Sequence, residues 1–301
     1  MISANGKDTA VIMRDIKKSF REKKVLNGVT GTIQKGRVVG IMGRNGEGKT
    51  TLLKILMDML SPDSGTSEIL GHKPDGSGFI RQIAGYVPET PVFHNFMKIS
   101  EVMDLRSRFF RNWDKEKATE LTKQLELNPD AQIKGSSKGM LGKLAWICAV
   151  AHNPEILLLD EPTAGLDALV RDNVLRNLIE ELQNRGTTVL VTNHHMEEMA
   201  GILDELWILS GGVIAGTYDM QKLREESCVV TGRLKQGKTL PRIPETLDIS
   251  EKDMPSQIAV FNSVALKELA ASDVFENMMQ TPLQTDTTLK LLLKLKGGSH
   301  D

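Results

Sequence analysis

The feature that most constrains this chain is the segment 43–51, which reads Gly-Arg-Asn-Gly-Glu-Gly-Lys-Thr-Thr. It fits the pattern G-x-x-x-x-G-K-[ST], in which backbone N–H groups of a glycine-rich loop surround phosphate oxygens. The apolar run 38–42 before the loop predicts a buried strand, and 52–57 after it predicts a helix. This order is the context that the motif requires, because the helix N-terminus adds the positive end of its dipole. We therefore predict a phosphate site rather than a glycine-rich turn with a chance lysine.

The polar residues of this loop have predicted roles in holding a nucleotide. Lys49 is expected to reach the β- and γ-phosphates, and the Thr50 hydroxyl is expected to ligate Mg²⁺. The predicted nucleotide-binding residues of the loop are Gly43, Asn45, Gly46, Gly48, Lys49, Thr50 and Thr51.

Two adjacent acids, Asp160 and Glu161, follow the fully apolar run 156–159. In a phosphate-loop protein, an acid at the end of such a strand can hold Mg²⁺, usually through water. Asp160 is that candidate, and Glu161 is placed where it could polarise an attacking water. Acids commonly end strands, so the pair alone is weak evidence. Together with the upstream phosphate loop it is strong evidence for hydrolysis of a nucleotide.

Composition limits the class of protein. The chain has 301 residues, enough for one large or two modest domains, and its net charge of −1 gives no indication of bulk nucleic-acid binding. The two cysteines, Cys148 and Cys228, cannot form a disulfide framework, which favours a reducing cytoplasmic compartment. The N-terminal residues 1–8 contain no apolar signal core. No apolar run approaches the ~18–20 residues that span a bilayer, so we expect any membrane role to need a separate partner.

Apolar runs alternate with helical patterns through most of the chain, which indicates an α/β fold with a parallel sheet. The predicted strands are 10–13, 25–29, 31–33, 38–42, 83–87, 156–159 and 188–192, and 61–65 is a predicted turn. The stretch 99–127 is helical and charged, with Ser100 and Asp114 as predicted N-caps. A glycine-bearing turn is expected at 135–142. The predicted helices that follow this turn are 143–150 and 169–185.

Beyond about residue 218 the pattern changes. Strands are predicted at 229–234 and 257–261, and helices at 263–269 and 288–295. We expect a small α+β appendix there.

With these motifs the chain resembles the ATP-binding cassette (ABC) ATPases, the motor subunits of ABC transporters, over about residues 10–217. The segment 160–167, Asp-Glu-Pro-Thr-Ala-Gly-Leu-Asp, resembles the Walker B and D-loop run, and this makes Asp167 a nucleotide-binding candidate. The segment 193–198, Asn-His-His-Met-Glu-Glu, resembles the switch-histidine segment. The family histidine stands two residues before this Met-Glu-Glu pattern. The resemblance therefore implies His194 as a catalytic residue, with His195 as the less favoured choice.

The resemblance also implies a domain organisation. Residues 8–217 would form the ABC ATPase domain, a P-loop NTPase with a RecA-like core, a β-rich N-terminal part and a helical subdomain at about 90–152. Residues 218–301 would form the small C-terminal domain.

Three segments depart from the family pattern. The signature Leu-Ser-Gly-Gly-Gln appears as residues 136–140, Ser-Ser-Lys-Gly-Met, in which Ser137 and Gly139 remain as implied nucleotide contacts. The Q-loop glutamine is replaced by Glu89, which could still contact Mg²⁺ or its water. The aromatic residue that would stack on adenine is Phe20, where tyrosine is commoner. Phe20 could also be a core residue.

The implied function is that of an ATP-hydrolysing, Mg²⁺-dependent exporter subunit, nearest to the ABC-2 group that exports antibiotics and peptides. Two copies, or this chain and a paralogous ATPase, would sandwich two ATP molecules head to tail. An integral membrane permease would hold the subunit at the inner face of the cell membrane, with no nucleic-acid partner. The candidates for its docking groove, or alternatively for a small helical core, are Phe93, Phe96, Met97, Phe109 and Phe110.

Two alternatives belong to other classes. Ribosome-acting ABC proteins usually carry two cassettes, and chromosome-maintenance members insert a long coiled coil that residues 49–137 cannot accommodate. A regulatory subunit with little catalysis is the second alternative, against which the intact Lys49, Asp160, Glu161 and His194 argue. The transported substrate is not encoded in these motifs, because in this family the permease selects it.

Overall fold

The computed structural model describes residues 8–162, 179–180, 182–194, 196–251 and 254–297. A six-stranded sheet lies at its centre. In spatial order its strands are Ala84–Val87, Ile156–Asp160, Thr188–Asn193, Val38–Met42, Glu205–Ser210 and Val213–Asp219. Every neighbouring pair is parallel except the last two strands, which form an antiparallel pair. The second, third and fourth strands in this order are buried along their whole length. Parallel strands covered on both faces are buried in this way, which explains their continuous apolar runs. The predicted α/β fold is confirmed.

A second, antiparallel sheet forms the β-rich N-terminal part. Its strand order is Lys23–Gln34, Thr9–Phe20 and Ser64–Ile69. The predicted strands 25–29 and 31–33 are one continuous strand. The prediction of a turn over 61–65 is wrong at its end, because Ser64 and Gly65 already belong to the third strand. Gly65 has φ 85°, and a Cβ there would lie 2.2 Å from the Asp15 carbonyl oxygen, so only glycine allows this pairing.

Helices pack on the central sheet. Three of them lie along the chain between the strands Ala84–Val87 and Ile156–Asp160. In the first 160 residues the helices are Lys49–Leu56, Phe79–Ile83, Ile99–Phe109, Lys115–Gln124 and Lys138–Val150. Residues 179–180 and 182–184 are also helical, whereas the remainder of the predicted helix 169–185 lies mostly outside the described residues. The last three helices of the first group share one buried core with the sheet, to which Ile99, Leu121 and Trp146 contribute.

Two of the predicted helix starts are wrong. Ser100 is not an N-cap, since the helix begins at Ile99 with Lys98 as its cap residue. The Glu101 carboxylate accepts the Lys98 N–H at 2.8 Å and thereby fixes the first turn. The predicted turn 135–142 ends early, because Ser137 Oγ accepts the Met140 N–H at 3.2 Å and starts the helix at Lys138. Asp114 is confirmed as an N-cap, its carboxylate accepting the Lys117 N–H at 2.9 Å.

The C-terminal part is a four-stranded antiparallel sheet with two helices. Its strands, in spatial order, are Thr246–Asp248, Ser256–Val260, Cys228–Leu234 and Phe275–Pro282, and its helices are Ser263–Ala271 and Thr285–Lys296. The four predicted elements are confirmed within a few residues. A short helix, Met220–Glu226, connects this part to the central sheet, and a 3₁₀ turn, Glu197–Met199, follows the strand Thr188–Asn193.

Candidate nucleotide-binding and catalytic site

The phosphate loop leaves the strand Val38–Met42 and enters the helix Lys49–Leu56. Gly46 and Gly48 have φ values of 86° and 102°, a left-handed backbone that glycine adopts without strain. A Cβ at Gly43 would lie 2.6 Å from the Leu209 carbonyl oxygen, and one at Gly48 would lie 2.6 Å from a Leu26 methyl carbon. The loop is therefore pressed between neighbouring strands, and its glycines are required by space as well as by backbone angle.

Lys49 lies inside this loop and is only 6% exposed. Its Nζ donates hydrogen bonds to the carbonyl oxygens of Gly43, at 2.8 Å, and Arg44, at 3.3 Å. The same atom is 3.3 Å from Glu161 Oε1. The loop thus holds a buried cation whose partners in this structure are carbonyl oxygens and one carboxylate.

Asp160 is held by three hydroxyl groups. Its Oδ1 accepts hydrogen bonds from Thr50 Oγ1 at 3.1 Å and from Thr192 Oγ1 at 2.8 Å, and its Oδ2 accepts one from the Tyr86 hydroxyl at 3.3 Å. Asp160 is 1% exposed. Burial, and then the negative charge of Asp160, raise the pKa of Tyr86 well above its usual range, so the phenol stays protonated and donates.

The donor set suits magnesium. A threonine hydroxyl and a carboxylate are hard oxygen ligands, and Mg²⁺ in phosphate-transfer sites is usually held by one or two such groups together with water and substrate phosphates. Within the described ranges no group of three or more His, Cys, Asp or Glu side chains could hold a metal by itself. The Thr50 and Asp160 oxygens are of the kind that a hard divalent cation prefers.

Glu161 connects three separate segments of the chain. Its Oε2 accepts a hydrogen bond from His194 Nδ1 at 2.5 Å, while its Oε1 faces Lys49. Its backbone has φ 49°, and its N–H donates to the Thr192 carbonyl oxygen at 2.9 Å. The strands that end at Asp160 and Asn193 are parallel neighbours, so their carboxyl ends bring Glu161 and His194 to the same edge of the sheet.

Lys49, Thr50, Glu161 and His194 line one cleft of about 430 Å³, whereas Gly43 and Asp160 are not among its lining residues. Its lining residues are Phe20, Lys23, Val25, Asn45, Gly46, Gly48, Lys49, Thr50, Thr51, Glu89, Glu161 and His194. Phe20 is 48% exposed, so it is not a core residue. Lys23 and Val25 were not predicted as site residues. The signal for Lys23 was its place opposite Phe20 in the N-terminal hairpin, where the two residues pair.

The signature residues lie elsewhere. Ser137 and Lys138 are exposed at the start of the helix Lys138–Val150. Ser137, Lys138 and Gly139 are all absent from the described residues that line the cleft. The cleft of one chain is therefore built without the signature. Asp167 and His195 lie outside the described residues.

The five candidates for the docking groove fall into two groups. Phe96 and Phe109 are 80% and 64% exposed. Phe93 and Met97 are partly buried against the core, and Phe110 stacks on His152 with ring centroids 4.1 Å apart. Phe93 and Phe110, but not Met97, line a pocket of about 240 Å³, and Tyr86 lines it as well.

Comparisons with known proteins agree with this geometry. Residues 26–164 match the family model described as ABC transporter. The chain is 30% identical over 214 residues to the ABC transporter ATP-binding protein YtrB of Bacillus subtilis (strain 168), covering 71% of this chain and 73% of the relative. It is 34% identical over 206 residues to the Nod factor export ATP-binding protein I of Burkholderia lata, covering 66% of this chain and 67% of that relative. Among solved structures, an ATP-binding subunit of an ABC transporter superposes with a TM-score of 0.67 at 26% identity, covering 72% of this chain and 92% of that one.

The fold and the loop define a P-loop ATPase of the ATP-binding cassette class. The chain belongs to the family of ABC transporter ATP-binding proteins, which confirms the predicted resemblance. It is an ATP-binding subunit and an ATPase of a transporter, and subunits of this family work with membrane permeases. None of the helices in the described part of the chain has the length and apolarity needed to cross a membrane.

Proposed function

We propose that this chain hydrolyses ATP with Glu161 as the base, Lys49 as the phosphate-binding cation and His194 as the residue that orients Glu161. The observation that carries the proposal is the contact of one carboxylate with both Lys49 and His194. Three segments far apart in sequence supply these groups, and all three side chains line the same cleft.

In this proposal the triphosphate replaces Glu161 and the loop carbonyls as the partner of Lys49. The Lys49 ammonium is drawn to the β- and γ-phosphate oxygens, because a phosphate carries more negative charge than a carbonyl dipole. Glu161 Oε1 then loses its cation and is left to accept a proton from the attacking water. The hydrogen bond from His194 holds the other oxygen of the carboxylate while this happens.

Thr50 and Asp160 would hold Mg²⁺, and Glu89, which lines the cleft, would contact the metal or its water. When bound, Mg²⁺ neutralises charge that develops on the phosphate oxygens. Thr192 and Tyr86 orient the Asp160 carboxylate for that role. The exposed ring of Phe20 would stack on the adenine base, and its 48% exposure supports that role.

We further propose a head-to-tail dimer in which Ser137, Gly139 and Asp167 of one copy complete the cleft of the other. Support comes from the place of Ser137, which caps a helix of 13 residues and is exposed outside its own cleft. A helix N-terminus attracts anions, so this surface suits a γ-phosphate held by a second chain. Two equal contacts of this kind give a closed two-fold assembly.

We also propose that the subunit powers an exporter of peptides, antibiotics or other amphipathic molecules. Two relatives with 34% and 33% identity are named as Nod factor export proteins, which supports the direction of transport. A permease at the inner face of the cell membrane would dock at the pocket beside Phe93 and Phe110. Purifying the complex from native membranes, with its permease and cargo, tests this part.

The hydrolysis proposal is tested by phosphate release from the purified chain with Mg²⁺ and ATP. Lys49→Ala should lose most nucleotide binding or turnover, since it removes the buried ammonium that would meet the β- and γ-phosphates. Glu161→Gln should retain ATP binding and hydrolyse at least ~100-fold more slowly. Parent-like hydrolysis in both variants would show that this cleft is not the catalytic site.

A further inference from the structure

The helix Thr285–Lys296 packs against the ATPase core, although it belongs to the C-terminal part of the chain. Leu289 and Leu292 are both fully buried, and they share one core cluster with Met196 and Met199. The helix contacts the 3₁₀ turn Glu197–Met199 and the strand Glu205–Ser210. It therefore lies directly behind the segment that follows His194.

A charged contact joins the same two segments at the surface. Lys290 Nζ lies 3.9 Å from Glu197 Oε1. The Glu197 side chain is 17% exposed and the Lys290 side chain is 68% exposed, so the carboxylate is the more desolvated partner. Glu197 stands three residues after His194, so this contact lies close along the chain to the imidazole that hydrogen-bonds Glu161.

The end of this helix reaches the phosphate loop. A Cβ placed on Gly297 would lie 3.5 Å from Arg44 Nε. The Arg44 carbonyl oxygen accepts a hydrogen bond from Lys49 Nζ. Because a helix C-terminus carries the negative end of its dipole, the guanidinium is favourably placed there.

Glu245 fixes the helix to the central sheet. One of its oxygens pairs with Lys296 Nζ, and the other accepts a hydrogen bond from the Tyr218 hydroxyl at 2.7 Å. Tyr218 lies in the strand Val213–Asp219. Burial, followed by the bond to Glu245, raises the pKa of Tyr218 well above its usual range, so this hydroxyl remains a donor.

We propose that the helix Thr285–Lys296 is a positioning element for the switch segment. It holds residues 196–199 so that His194 stays on Glu161, and Leu292 and Lys290 are its positioning residues. Displacing the helix separates His194 from Glu161 and lowers turnover without lowering the affinity for ATP. This inference rests on the proposed roles of His194 and Glu161.

Three variants of the full chain test the inference through kcat and KM for ATP. Leu292→Ala removes a buried contact, and we expect kcat to fall about tenfold with KM unchanged within about twofold. Lys290→Glu turns an attraction into a repulsion, and we expect a fall of about threefold in kcat. Lys294→Glu makes the same charge change at an exposed position of the same helix and should leave kcat unchanged.

Three further measurements distinguish a positioning role of the helix from a loss of overall stability. The exchange Lys290→Glu with Glu197→Lys should restore kcat to within about twofold of the parent. The ¹H–¹⁵N signals of the His194 ring, assigned with His194→Gln, report the Nδ1–Glu161 hydrogen bond at equilibrium without ATP. They should shift in Leu292→Ala and in Lys290→Glu, and in the charge exchange they should return to the parental positions. Thermal melting shows that each variant is folded.

The outcomes are distinguishable. If Glu161→Gln hydrolyses ATP like the parent, the proposed catalytic function fails. If Glu161→Gln is inactive while Leu292→Ala and Lys290→Glu keep both the parental kcat and the His194 ring signals, the positioning proposal alone is overturned. The positioning proposal is also overturned if the variants raise KM for ATP without lowering kcat. It is likewise overturned if Lys294→Glu lowers kcat as much as Lys290→Glu does.

Discussion

The Tyr86 hydroxyl lies 3.3 Å from Asp160 Oδ2 and donates a hydrogen bond to the carboxylate of the proposed magnesium site. The same residue lines the pocket that also contains Phe93 and Phe110. One side chain therefore touches both a predicted docking surface and the predicted metal ligand.

Tyr86→Phe should weaken the magnesium dependence of hydrolysis. The ring would still line the pocket, but the Asp160 carboxylate would lose one of its three hydroxyl donors. We expect the Mg²⁺ concentration for half-maximal activity to rise about threefold to tenfold. ATP binding in EDTA should not change and serves as the internal control. An unaltered Mg²⁺ titration would mean that the hydroxyl does not orient the metal ligand.

Glu161→Gln should trap an ATP-bound dimer. The amide keeps the shape of the side chain but cannot take a proton from water, so ATP persists and holds two chains together. Light scattering with Mg²⁺ and ATP should give twice the mass of the chain, and with ADP the mass of one. A protein that remains monomeric with ATP at high concentration would contradict the head-to-tail arrangement.

Lys138→Gly tests the altered signature. Lys138 is exposed at the N-terminus of its helix, where its charge would lie near the triphosphate bound by the facing chain. We expect the variant to dimerise more weakly with ATP, because a nearby positive charge outweighs a local steric change at the first residue of a helix. Dimerisation is measured against ATP at two ionic strengths. Tighter closure of Lys138→Gly at low salt would show that the lysine is a steric obstacle instead.

His152 makes stability depend on pH. Burial lowers the pKa of His152 from its ordinary 6.5 to about 4, and its Nε2 donates to the Ala84 carbonyl oxygen at 3.3 Å. Folding thus favours the neutral ring, so its stabilisation is present above pH 6.5 and is lost as the pH falls toward 4. This group alone should reduce the free energy of unfolding by about 2 kcal/mol between pH 7 and pH 5.

Urea denaturation at several pH values measures this effect. His152→Gln keeps a donor for the Ala84 carbonyl oxygen but does not titrate. Its unfolding free energy should therefore fall less between pH 7 and pH 5 than that of the parent. Identical slopes in the two proteins would contradict the lowered pKa.

Local signals predicted the phosphate loop and the strands beside it, but the strands Ser64–Ile69, Glu205–Ser210, Val213–Asp219 and Thr246–Asp248 were not predicted. The run 38–51 determines its own strand, turn and helix, and Asp160 with Glu161 directly follows an apolar strand. Tyr86 and Thr192 escaped prediction because they reach Asp160 from neighbouring strands, and strand order is not visible in a local pattern. The edge strand Phe275–Pro282 escaped for another reason. Most of its residues are exposed, so it lacks an apolar alternation.

The helix cap at Ser137 has a kinetic consequence. Its hydroxyl accepts the Met140 N–H with a lone pair, which leaves the proton of that hydroxyl for a phosphate oxygen. The first turn of this helix is therefore already ordered in the single chain. Two chains that meet around ATP would dock as finished surfaces, without a folding step at this point. Their encounter should then be limited by diffusion and orientation, with association rates near the ordinary protein–protein range of about 10⁵–10⁷ M⁻¹s⁻¹.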